Sequence, residues 1–350
     1  MKKTALSTLL SLFVFLQTGC STHILGTIDR PISEPLAAKT PQENNTDPLW
    51  KINGQIQQQK TCRIKYHPSY FTSRFMVVEG KIGTEHNKYP IILDTGASQS
   101  VFVTDTHVIR NKLPACPTEA GKLPSNSYDW RLCFLPELQI GDTSLLNWPC
   151  FYLRYSVTDK LFKLLGLSAS ADDSIIVGLP ALQQFKYIMF DNIKAEAELS
   201  RDKIFEPQQP QLWEQYPLSI EQDFAGNMFL FVKIPIAGED TELQLDTGNG
   251  NGLAIREQLW EKIRPKIQKV NLKKGSDLYP YIGRLPCRKG IISEIQIGGN
   301  PIRNAKISIF SNDCSLLTEC EGLLGMQYFQ NTVLVLDFEN NIMWIKKMQS

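Results

Sequence analysis

The sequence lacks a charge imbalance and the common patterns of metal and phosphate chemistry. Its 350 residues carry 37 basic and 36 acidic side chains, so a net charge of +1 gives no basic field for nucleic acid. Its four histidines have no metal-ligand spacing, and no CxxC, His-Glu-x-x-His, Gly-x-Ser-x-Gly or phosphate-loop pattern occurs. We therefore expect no nucleic-acid partner, no metal and no cofactor.

The N-terminal apolar run is too short to cross a bilayer. It extends from Ala5 to Leu16 behind Lys2 and Lys3, a pattern typical of an export signal. We expect residues 1–20 to be this signal. Residues 21–50 are largely polar and rich in proline, which predicts a flexible tether.

The end of the export signal, the sequence LQTGC at residues 16–20, resembles the lipobox of bacterial lipoproteins. In that family the cysteine is acylated and becomes the mature N-terminus. Gln17 departs from the pattern, which usually has Leu there. The resemblance implies lipid attachment at Cys20, with a plain cleaved signal peptide as the alternative. Ser21 then implies the periplasmic face of the outer membrane, to which the lipid would anchor the protein.

Cysteine is scarce, and its number is odd once Cys20 is set aside. Disulfides are expected in an exported chain, but seven cysteines cannot all pair internally. Cys314 and Cys320 close a short loop and are predicted to form a disulfide. The pairing of the others stays open, and buried free thiols are the alternative. These others are Cys62, Cys116, Cys133, Cys150 and Cys287.

One order of features runs twice through the chain. Short β-branched and aromatic runs between Gly, Asn and Pro predict a mainly β protein. In each half an apolar strand reaches Asp-Thr-Gly, followed by an Ile-Gly turn and then an apolar strand ending in Gly. The copies are offset by 152 residues for the Asp (94 to 246), 157 for the turn Gly (141 to 298) and 147 for the strand Gly (178 to 325). This repeat predicts two homologous β-barrel-like lobes, at residues 51–205 and 206–350.

The two Asp-Thr-Gly segments predict a pair of carboxyl groups, Asp94 and Asp246, at one site. Carboxylates a few ångströms apart cannot both ionise, so one proton is held between them. One carboxyl can then act as a base towards water while the other acts as an acid towards a carbonyl oxygen. This chemistry needs no metal.

The residues that follow each aspartate suit such a pair. Gly96 and Gly248 permit a tight turn close to the partner lobe, where a Cβ would collide. Thr95 and Thr247 can direct their hydroxyls to backbone groups across the interface and fix the two loops. Positioning matters because an error of about 1 Å in a catalytic pair can cost roughly a hundredfold in rate.

These segments resemble the pepsin and retropepsin clan of aspartic peptidases over about residues 70–345. The resemblance is carried by residues 94–98 (DTGAS), 246–248 (DTG) and the strand–glycine signatures at 176–178 and 324–325. It implies a bilobal, pepsin-like acid protease fold with the site between the lobes. It also implies that the two Asp are the catalytic dyad, that the two Thr form an interlobe clasp, and that a β-hairpin flap closes over an extended peptide.

The loops depart from pepsin after each glycine. Ala97 occupies a position where pepsins have Ser or Thr, as it does in retroviral enzymes, and Asn249 occupies it in the second loop. The amide of Asn249 could donate to Asp246. We expect Ala97, Ser98 and Asn249 to support the dyad.

The predicted flap lies in the first lobe near Tyr128 and Trp130. These aromatic side chains are candidate lids over substrate, with ordinary packing beside a turn as the alternative. In the second lobe the corresponding stretch is Leu278–Gly283. Neither stretch has the glycine-rich tip of retroviral flaps.

The sequence therefore predicts a monomeric aspartic endopeptidase that hydrolyses an extended peptide or protein substrate by dyad-activated water. A second hypothesis is a catalytically silent envelope lipoprotein that keeps the same fold to bind peptides or to act as a scaffold. Asn249 and the glycines that follow it motivate this alternative.

Overall fold

The structure is a computed structural model that describes residues 54–347, except residues 59, 75, 85, 99, 123–128, 155–173, 224–225, 268–269, 280–282 and 318–319. The predicted export signal, Cys20, the tether and Tyr128 lie outside the described residues. No helix within the described ranges is long and apolar enough to cross a membrane.

Strands dominate the described chain. The first half contains β1 Gln55–Gln58, β2 Cys62–Lys65, β3 Val77–Ile82, β4 Tyr89–Asp94, β5 Val101–Thr104, β6 Ala115–Lys122, β7 Asp129–Ile140, β8 Thr143–Arg154, β9 Ile175–Gly178, β10 Tyr187–Asp191 and β11 Glu196–Ser200. The second half contains β12 Trp213–Gln222, β13 Met228–Ile236, β14 Glu239–Asp246, β15 Leu253–Arg256, β16 Lys273–Tyr279, β17 Gly283–Ile297, β18 Asn300–Phe310, β19 Gly322–Gly325, β20 Val333–Asp337 and β21 Ile342–Lys346.

The helices are short and peripheral to this strand framework. The α-helices are α1 Tyr70–Ser73, α2 Asp105–Arg110, α3 Leu179–Leu182 and α4 Glu257–Ile263. Single 3-10 turns cover Pro210–Leu212, Arg264–Lys266, Ser315–Leu317 and Met326–Phe329. The prediction of a mainly β protein is confirmed.

Two sheets that fold back on themselves make two lobes. The first has the strand order β1-β8-β5-β9-β4-β3-β7-β6, and a second pairing of β8 with β7 curls it into a barrel-like unit. The second begins β16-β17-β18-β15-β19-β14-β13, and β17 also pairs with β13 to curl it in the same way. Each curled unit encloses apolar side chains, so each lobe has its own core.

A six-stranded layer joins the two lobes. Its order is β12-β21-β20-β10-β11-β2, with three strands from each half of the chain. At its centre β10 and β20 pair antiparallel, Tyr187 opposite Asp337 and Asp191 opposite Val333. Phe190 in this layer is fully buried.

Strand β4 has one face in the core and carries Asp94 at its C-terminal end. Its burial alternates strictly, with Tyr89, Ile91 and Leu93 buried and Asp94 half-buried at the end. This alternation is expected for a strand with one face in the core. Its parallel neighbour β9 is buried at every residue, as expected for a strand covered on both faces.

Both predicted Ile-Gly turns are tight hairpin turns. Ile140 pairs with Thr143, and Ile297 pairs with Asn300, so each turn has two residues. Gly141 and Gly298 both have φ of +59°. A left-handed first turn residue is what a two-residue hairpin of this kind requires, and glycine adopts it without a Cβ clash.

The predicted disulfide between Cys314 and Cys320 is not formed in the structure, where both cysteines are free thiols. The carbonyl of Cys314 accepts from the N–H of Leu317 at 3.1 Å, and the carbonyl of Leu317 accepts from Cys320 at 3.2 Å. Two successive turns therefore separate the cysteines. Both side chains instead pack beside Leu285 and Phe310.

We expect Phe190→Ala to lower the free energy of unfolding by about 3–5 kcal/mol, because it leaves a cavity in the layer that joins the lobes. Ile193→Ala is the matched control, since Ile193 is 65% exposed. The control should change stability by less than about 0.5 kcal/mol. Urea denaturation followed by circular dichroism measures both, and equal losses would contradict the assigned core.

Candidate active site

The two aspartates end equivalent strands in the two lobes. Asp94 is the last residue of β4, and Asp246 is the last residue of β14. Each lies in parallel register beside a strand glycine of the repeat, Asp94 beside Gly178 and Asp246 beside Gly325. The repeat seen in the sequence is therefore a repeat of strand pairing.

The two threonines hold the loops together across the lobe interface. The N–H of Thr95 donates to Oγ1 of Thr247 at 3.0 Å, and the N–H of Thr247 donates to Oγ1 of Thr95 at 3.1 Å. Oγ1 of Thr95 donates to the carbonyl of Leu245 at 2.7 Å, and Oγ1 of Thr247 donates to that of Leu93 at 2.6 Å. Both threonines are fully buried. We call these four hydrogen bonds the threonine clasp.

The glycine of each loop lies against the aspartate of the other lobe. A Cβ on Gly96 would stand 2.5 Å from Oδ1 of Asp246, and a Cβ on Gly248 would collide with the carboxyl group of Asp94. Real Cβ atoms do not approach carboxylate oxygens so closely. Glycine at both positions is therefore what lets the two aspartates converge.

The two carboxyl groups are in hydrogen-bonding contact with each other. Burial raises the pKa of Asp94 above its ordinary value. Burial raises the pKa of Asp246 well above its ordinary value, and the charge of Asp94 adds to the effect. The pair thus keeps a proton at a pH where isolated aspartates would both be ionised.

Backbone N–H groups stabilise the remaining negative charge. Gly96 and Ala97 donate to Oδ1 of Asp94 at 2.8 and 3.2 Å. In the second loop Gly248 and Asn249 donate backbone hydrogen bonds to Asp246, and these lower its pKa against the effect of burial. Hydrogen bonds to a carboxylate favour its charged form, so the site can hold one ionised and one protonated carboxyl.

The side-chain amide of Asn249 was predicted to donate to Asp246, and in the structure it does not. Asn249 is 5% exposed, and its Oδ1 accepts from the N–H of Asn251 at 2.9 Å. Its Nδ2 is buried without a hydrogen-bond partner among the described residues. The contact with Asp246 comes from the main chain, because the side chain turns to close its own loop.

Ser98 connects the first loop to the other lobe. Its hydroxyl donates to Oδ1 of Asn227 at 3.4 Å, and its carbonyl accepts from the N–H of Met228 at 3.3 Å. Asn227 is in turn held by Asp223, which accepts from its N–H at 2.9 Å. Ser98 therefore supports the loop by an interlobe contact.

The predicted flap falls on a hairpin. Strands β6 and β7 pair on either side of residues 123–128, and β16 and β17 form the corresponding hairpin in the second lobe. Trp130 is the second residue of β7 and pairs with Gly121 on β6 and Leu153 on β8. Tyr128 lies outside the described residues, so the lid roles of both aromatic residues stay predictions.

Two aromatic residues near the loops, Trp148 and Tyr328, were not predicted from the sequence. Nε1 of Trp148 donates to Oγ of Ser100 in the first lobe. In the second lobe the hydroxyl of Tyr328 accepts from the N–H of Leu253 at 3.0 Å. Trp148 and Tyr328 come from different places in the repeat, so the duplication gave no signal for them.

No group of three or more His, Cys, Asp or Glu side chains in the described ranges could hold a metal ion. The site consists of two carboxyl groups, several backbone N–H groups and the buried hydroxyls of two threonines. Such an arrangement can activate water and protonate a carbonyl oxygen.

Two curled lobes, a shared six-stranded layer and aspartates on equivalent strands make this a bilobal, pepsin-like acid protease fold. The fold class predicted from the sequence is confirmed. The lobe boundary near residues 205 and 206 stays a prediction.

A scan against protein-family models and a search of curated proteins find no match. Among solved structures, the chain is similar to basic 7S globulin from soybean, with a TM-score of 0.44 and 9% identity over 85% of this chain and 96% of that chain. It is also similar to conglutin gamma, a basic 7S globulin from lupine seeds, with a TM-score of 0.45 and 10% identity over the same shares. We infer no activity from likenesses this distant.

We expect Thr247→Val to destabilise the protein strongly. It leaves the N–H of Thr95 without an acceptor and the carbonyl of Leu93 without a donor, at about 1–3 kcal/mol for each buried group. Thr247→Ser keeps the hydroxyl and should cost about 1 kcal/mol for the lost methyl. Chemical denaturation of both variants measures the difference, and equal stabilities would show that the clasp contributes nothing.

The dyad should also make stability depend on pH. The folded pair holds a proton at pH values above 3.8, the ordinary pKa of an Asp, so stability should fall as pH rises above about 4. Asp246→Asn removes this titration. We therefore expect the melting temperature of the wild type, relative to that of Asp246→Asn, to fall over this range.

Asp142→Asn, on an exposed hairpin turn, is the control for loss of one negative charge. Its difference from the wild type should stay flat across the same pH range. A flat difference for Asp246→Asn as well would mean that the pair does not share a proton.

Proposed function

We propose that this protein is an aspartic endopeptidase whose water-activating groups are Asp94 and Asp246. The observation that carries the proposal is the contact between their carboxyl groups across the lobe interface, with raised pKa values on both. Two carboxylates in contact repel each other unless they share a proton. Carboxyl groups perturbed in this way cluster at functional sites. Proton sharing is what hydrolysis by a carboxyl pair requires.

The proposed reaction uses the pair as base and acid together. The ionised carboxyl takes a proton from a water molecule, whose oxygen attacks the scissile carbonyl carbon, while the protonated carboxyl gives its proton to the carbonyl oxygen. The carboxyl that took the water's proton then gives it to the amide nitrogen, the C–N bond breaks, and one hydroxyl of the intermediate returns its proton to the other carboxyl. The two products leave as a carboxylic acid and an amine, and the pair again holds one proton. The proton belongs to the pair rather than to one residue, so both aspartates are required.

The proposed substrate is an extended polypeptide segment. The site lies between two lobes, and each lobe carries a strand hairpin, β6–β7 in the first and β16–β17 in the second. An extended peptide can gain main-chain hydrogen bonds from such elements while pockets select its side chains. Both carboxyl groups come from one chain, which supports action as a monomer.

We also propose an envelope location for this activity. The signal at residues 1–20, the lipid site at Cys20 and the tether at residues 21–50 support a periplasmic enzyme held at a bacterial membrane, with the outer membrane favoured by Ser21. A flexible tether of this length would let the anchored lobes reach protein substrates. No other partner is part of the proposal.

A second candidate function is peptide binding without hydrolysis. The second loop carries Asn249, whose side chain closes the loop on Asn251 instead of supporting Asp246. A shared fold does not fix an activity. A lipoprotein with this fold could therefore hold an extended peptide and release it unchanged.

We expect Asp94→Asn and Asp246→Asn each to lower peptide cleavage by at least about a thousandfold, because residues that act as a unit fail together. A peptide-library digest by the purified protein at several pH values, read by mass spectrometry, measures this. Asp142→Asn is the matched control and should cleave at the wild-type rate.

Full activity in either dyad variant would defeat the shared-dyad mechanism. Peptide binding by the wild type without turnover at every pH would support the second candidate instead. Cleavage that a statine-type transition-state mimic inhibits would rule that candidate out.

A further inference from the structure

Two buried cysteines face each other in the first lobe, away from the proposed site. Cys133 on β7 lies directly opposite Cys150 on β8 in an antiparallel register that runs unbroken from Leu132 to Leu135. Neither was paired from the sequence, because strand register is not visible in cysteine spacing. This juxtaposition is a product of the fold.

The backbone spacing at this pair suits a covalent bond. The N–H of Phe134 donates away from β8, to the carbonyl of Pro114 at 2.8 Å. The N–H of Cys133 must then point towards β8, because successive N–H groups of a strand alternate in direction. Opposite residues of this kind have Cα atoms about 5.5 Å apart, which falls within the range that disulfides require.

The side chains are also placed for bonding. Cys133 is 1% exposed and Cys150 is fully buried, and in the structure they are free thiols in contact with each other. Cys62, Cys287, Cys314 and Cys320 have other neighbours. The thiol of Cys62 lies 3.3 Å from Oγ1 of Thr143, and the cysteines of the second lobe lie together in another apolar cluster.

We propose that Cys133 and Cys150 form a cross-strand disulfide in the exported protein. One S–S bond forms, and the two thiols give up two protons and two electrons. A disulfide oxidant accepts them by thiol–disulfide exchange through a mixed disulfide and is reduced to two thiols. Exported compartments maintain oxidants of this class.

Burial of the two thiols determines whether the disulfide forms before or after the strands pack. It raises the pKa of the Cys150 thiol well above the ordinary value, and contact with Cys133 raises it further. The thiolate is the attacking species in exchange, so a folded and reduced protein oxidises slowly. The bond therefore forms before β7 and β8 pack, and burial then protects it from reductants.

The bond would clamp the hairpin that supports the predicted flap. It joins β7 and β8 between their tight turn at Gly141 and the end of β7 that enters the β6–β7 hairpin. A crosslink there limits how far these strands separate on partial unfolding. It lies outside the dyad, so this inference does not depend on the proposed hydrolysis.

The test uses the full chain purified from the envelope of expressing cells without reductant. The protein is unfolded in acid, its thiols are blocked with N-ethylmaleimide, and peptides are mapped before and after reduction. We expect a peptide pair linked through Cys133 and Cys150, with neither residue labelled until dithiothreitol is added. Reduction should also lower the melting temperature by about 5 °C.

Variants show whether the link is specific. In Cys133→Ser the thiol of Cys150 should become labelled without reduction, and Cys150→Ser should expose Cys133 in the same way. Cys287→Ser is the matched control and should leave the linked peptide pair intact. Labelling of both cysteines in the unreduced wild type, or a link from either one to a different cysteine, would overturn the proposal even if a Ser variant fails to fold.

Discussion

The buried threonine clasp is the interaction on which the rest of the site depends. Its four hydrogen bonds cross the boundary between lobes where no side chain is exposed, so an unmade bond there has no water to replace it. Each threonine both accepts from the other loop's backbone and donates to the opposite strand. The two loops can therefore sit in only one relative position, and that position brings Asp94 against Asp246.

The clasp holds together groups that repel each other. Two carboxyl groups in contact, with Gly96 and Gly248 pressed against them, are stable only because a proton and several backbone N–H groups compensate their charge. The lobes also share a six-stranded layer, which joins the two halves of the chain. The arrangement that fixes the two loops therefore also raises the pKa values of the two carboxyl groups. Perturbed pKa values of this kind are common at functional sites.

The sequence alone indicated the features that are local or repeated. Asp-Thr-Gly after an apolar strand, the turn glycines Gly141 and Gly298 and the strand glycines all reflect backbone requirements that recur in both halves. What it could not indicate depends on register and on long-range packing. Cys133 meets Cys150 only through the β7–β8 register, and the short loop from Cys314 to Cys320 suggested a bond that the structure does not form.

The pairing of β10 with β20 has a consequence for how such a chain can arise. Tyr187 opposite Asp337 and Asp191 opposite Val333 are the same contact seen from either side, which makes this an isologous interface inside one polypeptide. One half alone would present β10 or β20 as an open edge that a second identical half could complete. The joined halves carry within one molecule the symmetry of a homodimer, and gene fusion then leaves each copy able to diverge separately.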